Sequence, residues 1–265
     1  AHLQYFKNLA GVFQEKYSLI QNLSKPYIGI LNYDDIFFKK HIASKKTKPF
    51  IVGFAIKNPA DFRAFELRPN LGKWEFSINQ KYKFTLDSLG YYNIYNLLAA
   101  VSAARLFGIE YQDIAARMAQ FNFPPGRLQA IKLNNINFID DTYNSNPLSL
   151  KCALDAFGGY TTYGRKILVI GDMLELGSGR QEAFHRKAGE TAAKICDILI
   201  AVGKLAKIAA DRACACGLSR KNIFTCKDSL EARRMLFKKI SPRQQDIILV
   251  KGSRSMKMER VLGKA

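Results

Sequence analysis

Apolar positions recur along this chain in two ways, every three or four residues in some stretches and as short runs in others. Residues 8–23 follow the helical period, with Leu9, Val12, Phe13, Lys16 and Ile20 near one face. Tyr27–Leu31 is a short apolar run that ends at Asn32-Tyr33-Asp34-Asp35, which predicts a strand followed by a turn. Ile51–Ile56 reads as another strand. Phe62–Leu67, Trp74–Ile78 and Tyr82–Leu86 read as antiparallel strands, the last two joined by Asn79-Gln80. The helical period returns over Asn93–Phe107, where Ile94, Leu97, Leu98, Val101 and Ala104 form a stripe and Gly108 ends it. A further helix is predicted from Tyr111 to Gln120.

Phe123-Pro124-Pro125-Gly126 cannot continue a helix and marks the best domain boundary, giving residues 1–124 and 125–265. A hairpin follows, Ala130–Leu133 and Phe138–Asp140 around Asn134-Asn135. Helices and strands then alternate. Pro147–Phe157 is a helix with proline at its start, Lys166–Ile170 a strand, Gln181–Ile195 a helix and Ile198–Val202 a strand. Lys204–Cys216 and Ser229–Ile240 read as helices and Asp246–Val250 as a strand. Alternation of this kind predicts an α/β fold with a mostly parallel sheet covered on both faces.

The chain has 265 residues, enough for one large domain or two ordinary ones with a sizeable core. Its 18 Phe and 12 Tyr exclude a solvated coil. No apolar run reaches the length of a membrane span. The first residues lack both a basic stretch and an apolar stretch, so a signal peptide is excluded there. They also lack an initiator Met, which suggests a start inside a longer protein. The balance of 41 basic to 22 acidic residues gives a formal net charge of +19. The excess is spread, with 16 basic and 9 acidic residues in 1–124 and 25 and 13 in 125–265. Without a clustered basic face or a nucleic-acid module, this favours anionic small substrates over nucleic acid. Cys152, Cys196, Cys214, Cys216 and Cys226 have no Cys-x-x-Cys spacing, so free buried thiols are expected rather than disulfides or a zinc ribbon.

Three polar strings sit at predicted strand ends, where open parallel sheets bind ligands. They are Asp140-Asp141-Thr142-Tyr143-Asn144-Ser145-Asn146-Pro147, Gly171-Asp172-Met173-Leu174-Glu175-Leu176-Gly177 and Lys251-Gly252-Ser253-Arg254-Ser255-Met256-Lys257-Met258-Glu259. One such loop is ordinary turn and capping chemistry. Three on one sheet edge point to a site.

With Gly126-Arg127-Leu128-Gln129 before them, these strings resemble the Mur ligase family in identity and order. Gly90-Tyr91-Tyr92-Asn93-Ile94-Tyr95-Asn96-Leu97-Leu98-Ala99-Ala100 resembles its helix-opening motif, with Tyr92 where the family usually has His. Ala1-His2-Leu3-Gln4-Tyr5-Phe6 and Leu31-Asn32-Tyr33-Asp34-Asp35 match as well, so the resemblance covers essentially the whole chain. The family's Gly-x-x-x-x-Gly-Lys-Ser/Thr phosphate loop is absent from these residues. The resemblance therefore implies a C-terminal fragment, the remainder of a central ATPase α/β domain (1–124) followed by a Rossmann-like C-terminal α/β domain (125–265).

The resemblance implies an ATP-dependent amide-bond ligase of peptidoglycan precursor synthesis, within the branch that adds D-alanyl-D-alanine to a UDP-N-acetylmuramoyl-tripeptide. The tripeptide carboxylate takes the γ-phosphoryl group of ATP to form an acyl phosphate. The dipeptide amine then displaces phosphate. By the same resemblance, ATP and Mg²⁺ are required, and His2 and a carbamylated Lys16 serve Mg²⁺ and catalysis. Asn93 and Asn96, three apart on a helix, suit the edge of adenine, and Asn96 is the favoured contact. Arg127 would reach the ATP phosphates, Asp141 the ribose hydroxyls, and Tyr143 would lie beside the nucleotide. ATP would bridge the two domains. Asp172, Lys251, Ser253 and Arg254 are expected to hold D-alanyl-D-alanine, with His185 and Glu182 supporting the Asp172 loop. Alternatively, Lys251 and Arg254 pair with Asp172 and Glu175 and only tie two loops together. A cytoplasmic monomer without a membrane span or nucleic-acid partner is expected. Two other classes stay open: a related ligase that adds a single amino acid or glutamate, and a non-enzymatic basic binding module.

Overall fold

The computed structural model describes residues 8–25, 27–38, 50–70, 72–176 and 179–264. The chain divides into two compact units between Asn122 and Phe123, two residues before the boundary expected from the prolines.

In the first unit, helix α1 (Leu9–Gln21) is capped by Asn8, whose side chain accepts from the Gly11 amide at 2.9 Å. Its buried face is narrower than the periodicity suggests. Phe13 and Tyr17 are buried, whereas Leu9 is 60% exposed and Lys16 is exposed. Aromatic packing sets that face: Phe13 stacks on Tyr17 and Phe37 at 5.3 and 5.6 Å and meets Phe38 edge-on at 5.2 Å.

A five-stranded sheet runs β1 (Ile28–Asn32), β2 (Phe50–Ala55), β3 (Phe62–Asn70), β4 (Lys73–Ile78), β5 (Tyr82–Leu86) in spatial order. The first three strands are parallel and the last two pairings antiparallel. Strand β3 thus belongs to both pairings, parallel to β2 through Phe62 and Arg63 and antiparallel to β4 beyond. Asn79 and Gln80 both have positive φ (53° and 60°), the twist that suits a two-residue hairpin. Helix α2 (Tyr92–Leu106) buries Ile94, Leu97, Leu98 and Val101, and helix α3 (Tyr111–Met118) follows.

Asp34, just past β1, organises this unit. One carboxylate oxygen accepts from the Ile56 and Lys57 amides at 2.8 and 2.9 Å and from the Tyr95 hydroxyl at 2.9 Å. The other accepts from the Asn58 amide and side chain at 2.8 and 2.7 Å. Burial alone would raise the Asp34 pKa, but the amide and hydroxyl donors outweigh it and lower it to about 2.

The second unit opens with a hairpin, β6 (Gln129–Leu133) and β7 (Ile136–Asp141), turned by Asn134 and Asn135 at φ 49° and 62°. Helix α4 (Pro147–Gly159) starts with a capping box, the Asn146 and Ser149 side chains each accepting from the other's amide. Then come β8 (Lys166–Gly171), α5 (Gln181–Ile195), β9 (Ile198–Val202), α6 (Lys204–Ala215), β10 (Ile223–Cys226), α7 (Ser229–Arg234) and β11 (Ile247–Lys251). The sheet order is β10-β9-β8-β11-β7-β6, parallel except for β6. Strands β8, β9 and β11 are buried along nearly their whole length, as expected of a parallel sheet covered on both faces. Ile167, Val169, Ile200, Val202, Ile248 and Val250 form one core with Ala232, Leu236, Met258 and Val261.

Three expectations need correction. Strand β10 was not predicted, because four residues are too few to show a period. The predicted helix over residues 229–240 is α-helical only to Arg234 and continues as a π-helix over Met235–Ile240. Cys216 is exposed and Cys152 and Cys214 are half-buried, since Cys216 caps the end of α6; all five thiols are free. Burial pushes Cys196 up to about 12 and Cys226 up to about 11.

Replacing Asp34 with Ala removes the acceptor of three backbone amides, and hydrogen bonds to a charged group are worth about 1.5–3 kcal/mol each. The Ile56–Asn58 amides should then exchange much faster with deuterium. Because the folded pKa is depressed, the carboxylate's contribution is complete above about 4 and is lost as pH falls toward about 2. Wild-type protection of these amides, taken relative to their intrinsic exchange rate, should therefore fall through that window, and the variant should show no such fall. Equal protection in both proteins at neutral pH would contradict the role.

Candidate functional site

Strands β7 and β8 are consecutive in sequence, yet β11 lies between them in the sheet. The connections diverge there, which makes a crevice at the carboxyl ends of these strands. All three polar strings begin at those ends.

The deepest element is an ion pair. Lys251 Nζ lies 2.6 Å from Asp141 Oδ2, with the two residues 1% and 5% exposed. Lys251 also donates to the Asn144 carbonyl at 2.8 Å, and Asp141 Oδ1 accepts from the Leu128 amide at 3.1 Å. Burial raises the Asp141 pKa and lowers that of Lys251, each opposed by the partner's charge. Next to it, Asp140 accepts from the Thr142 amide and hydroxyl at 3.2 and 2.7 Å and from Lys264 at 2.6 Å. The acidic doublet was visible in sequence; Lys264 as its partner, far along the chain, left no local signal.

Above this layer stand exposed groups. The Arg127 guanidinium lies 4.0 Å from the centre of the Tyr143 ring, and that of Arg254 lies 6.0 Å from the same ring. Gly126 makes the first approach possible. It has φ +74°, its carbonyl accepts from the Tyr143 amide at 3.0 Å, and an added Cβ would sit 3.0 Å from that nitrogen. Arg254 is 64% exposed and contacts Glu259 at 3.3 Å. Two guanidinium groups around an aromatic face suit a flat, anionic ligand.

The residues expected to hold a dipeptide separate into two kinds. Asp172 is buried and accepts from the Ala206 amide at 2.7 Å, so its carboxylate caps α6 instead of facing a cleft. Gly203, at φ +102°, leaves room for it, since a Cβ there would lie 2.5 Å from Asp172 Oδ2. Lys251 is committed to Asp141. Ser253 is buried, accepting from the Leu174 amide at 2.8 Å and donating its own amide to the Asp172 carbonyl at 3.1 Å. These three build the crevice; Arg254 is exposed at it. The alternative pairing with Asp172 and Glu175 is not what forms, because Asp141 and Glu259 take the two cations.

In the first unit, Asn93 is buried and donates to Ser88 Oγ at 2.7 Å, while Asn96 donates to Asn93 Oδ1 at 2.9 Å. Asn93 thus orients Asn96, which is exposed. Lys16 is exposed on α1, and His2 lies outside the described residues. Among the described residues no group of three or more His, Cys, Asp or Glu could hold a metal ion, and no helix is long and apolar enough to cross a membrane.

Gly126→Ala should lower the melting temperature of the second unit, because it strains a positive-φ position and costs more than about 0.4–1 kcal/mol. It should also shift the Tyr143 ring resonances, since the new Cβ meets the Tyr143 amide. A variant with unchanged melting and unchanged resonances would show that Gly126 does not set the Arg127–Tyr143 stack.

Comparison with known proteins bears on the family and fold of the two units. The Mur ligase middle domain model matches residues 1–104, and the model described as Mur ligase, glutamate ligase domain, matches residues 126–254. The UDP-N-acetylmuramoyl-tripeptide–D-alanyl-D-alanine ligase of Escherichia coli is 34% identical over 271 residues, covering 99% of this chain and 57% of the relative. That of Haemophilus influenzae is 31% identical over 273 residues, covering 99% and 56%. The chain thus spans a little over half the length of the curated relatives it matches. Among solved structures, MurF from Acinetobacter baumannii superposes with a TM-score of 0.82 at 27% identity, covering 99% of this chain and 56% of that one. MurF ligase from Thermotoga maritima, solved in complex with ADP, has the same fold, with a TM-score of 0.79 at 22% identity and coverage of 99% and 58%. The chain belongs to the Mur ligase family, of which it carries the middle and C-terminal domains.

Proposed function

We propose that this chain is part of an ATP-dependent ligase that joins D-alanyl-D-alanine to a UDP-N-acetylmuramoyl-tripeptide. The observation that carries the reading is the Arg127–Tyr143–Arg254 cluster over the buried Asp141–Lys251 pair, at the switch point of the sheet. In this reading Tyr143 lies beside the nucleotide and Arg127 meets its phosphates. Asp141 uses two of its roughly four acceptor sites within the protein, which leaves capacity for a ribose hydroxyl. The tripeptide carboxylate attacks the γ-phosphorus, ADP leaves, and an acyl phosphate forms. The dipeptide amine then attacks the acyl carbon, phosphate leaves with the bonding electrons, and the amine proton passes to solvent or to phosphate.

Mg²⁺ supplies charge compensation for phosphoryl transfer in such a reaction. A carbamylated Lys16 would offer it the oxygen ligand a hard cation prefers, and the exposed Lys16 amine is open to that modification. His2 is the other ligand in this proposal. The described residues do not form a complete metal site by themselves, and this chain contains no phosphate-loop motif. Its part is to hold the base, the phosphates and the dipeptide. A cytoplasmic location fits these nucleotide substrates.

Arg254, an exposed cation at the crevice, is the group we assign to the dipeptide carboxylate, since Lys251 is committed to Asp141. In a ligase that also contains the phosphate loop, Arg254→Ala should raise the dipeptide KM by about tenfold or more, as expected for a lost charge-assisted hydrogen bond. The ATP KM should change much less. Equal changes in both, or folding loss without a kinetic change, would contradict the assignment.

A further inference from the structure

His185 is 1% exposed and lies in the second turn of α5. Its Nδ1 is 2.7 Å from the Gln181 carbonyl, one turn earlier, and its Nε2 is 3.0 Å from the Met173 amide. A backbone carbonyl only accepts and a backbone amide only donates. The two contacts therefore require a hydrogen on Nδ1 and a lone pair on Nε2, which is one tautomer of the neutral ring. Burial lowers the His185 pKa and favours that neutral form, while the nearby Asp172 charge opposes it.

The amide held in this way starts a relay of hydrogen bonds. Met173 follows Asp172, whose carbonyl accepts from the Ser253 amide at 3.1 Å and whose carboxylate caps α6. Leu174 follows Met173 and donates to Ser253 Oγ at 2.8 Å. Ser253 immediately precedes Arg254. One imidazole nitrogen on α5 thus fixes the backbone after β8, and two hydrogen bonds between that backbone and Ser253, one donated each way, fix the loop after β11. The loop after β8 makes no helix or sheet ladder over residues 172–174, so these side-chain acceptors take the place of backbone partners.

We propose that His185 is a positioning residue for the dipeptide site, and that its Nδ1–H tautomer sets the Asp172–Leu174 backbone against the Ser253–Arg254 loop. This rests on the reading of Arg254 as the cation that receives the dipeptide carboxylate. His185 touches no substrate. It acts by giving Met173 an acceptor, and through Leu174 and Ser253 it holds Arg254 in place.

The first test uses the unaltered 265-residue chain. Nitrogen-15 shifts of the His185 ring at neutral pH should show a protonated Nδ1 and an unprotonated Nε2; the opposite tautomer overturns the proposal. The second uses a ligase that also contains the phosphate loop. His185→Phe fills the space but offers no acceptor, and His185→Gln restores an oxygen acceptor. His185→Phe should raise the dipeptide KM several-fold, up to about tenfold, the range expected for one hydrogen bond, with the ATP KM within twofold. Gln should recover most of the loss, and deuterium exchange at Met173 and Leu174 should rise in the Phe variant and fall back with Gln. Equal changes in both KM values, or unchanged exchange at Met173, overturns the role of His185. Arg254→Ala separates the two claims. If it raises the dipeptide KM while His185→Phe does not, the positioning role fails and the Arg254 reading stands. If Arg254→Ala itself leaves the dipeptide KM unchanged, the underlying reading fails instead.

Discussion

The second unit depends on a charge pair that is almost completely buried. Removing a carboxylate and an ammonium from solvent costs several kcal/mol per ion even after relaxation, and Asp141 and Lys251 are both almost completely buried. Their contact and the added bonds to Leu128 and Asn144 offset that cost. The pair joins the ends of two neighbouring strands to the segment that precedes β6 and the loop that follows β7. Through Leu128 it holds the segment carrying Gly126 and Arg127. Through Asn144 it holds the segment carrying Tyr143. The exposed arginine–tyrosine stack is therefore assembled from pieces that a buried ion pair keeps in register.

A second layer explains why so few of the polar residues at the crevice are free for a ligand. Asp172 caps a helix, Ser253 ties two loops, His185 accepts an amide, and Asp140 gathers Thr142 and Lys264. Loops at the ends of parallel strands leave backbone amides without ladder partners. Short polar side chains supply the missing acceptors. The density of Asp, Ser and His in these strings thus reflects construction as much as recognition, and Arg127, Tyr143 and Arg254 are among the groups that remain exposed.

Much of this was legible beforehand, for physical reasons that differ by element. The sequence predicts Gln181–Ile195 and Ile198–Val202 to the residue, because a long amphipathic period and a short unbroken apolar run mark them. The hairpin turns were legible from Asn-Asn and Asn-Gln, where positive φ is tolerated. Strand β10 was not, being too short, and the π-helical turn after Arg234 was not, because its side chains keep a helix-like spacing. In the site, the residue types were legible but their partners were not. Lys251 and Asp141 are 110 positions apart, and nothing local in either string says that they meet. A lysine beside a glycine and a serine reads equally well as a ligand group or as a buried strut, and only burial decides.

A double-mutant cycle on Asp141 and Lys251 tests the central claim most directly. Asp141→Ala, Lys251→Met and the pair together would be compared by native-state hydrogen exchange at the Leu168 and Leu249 amides, which lie in the buried strands of this unit. Breaking a buried pair from one side costs about 3–5 kcal/mol. The account predicts a loss of that order in each single variant, a double variant less destabilised than the two losses added, and fast exchange at Leu128 whenever Asp141 is replaced. Additive losses, or full protection of Leu128 without the Asp141 carboxylate, would contradict it.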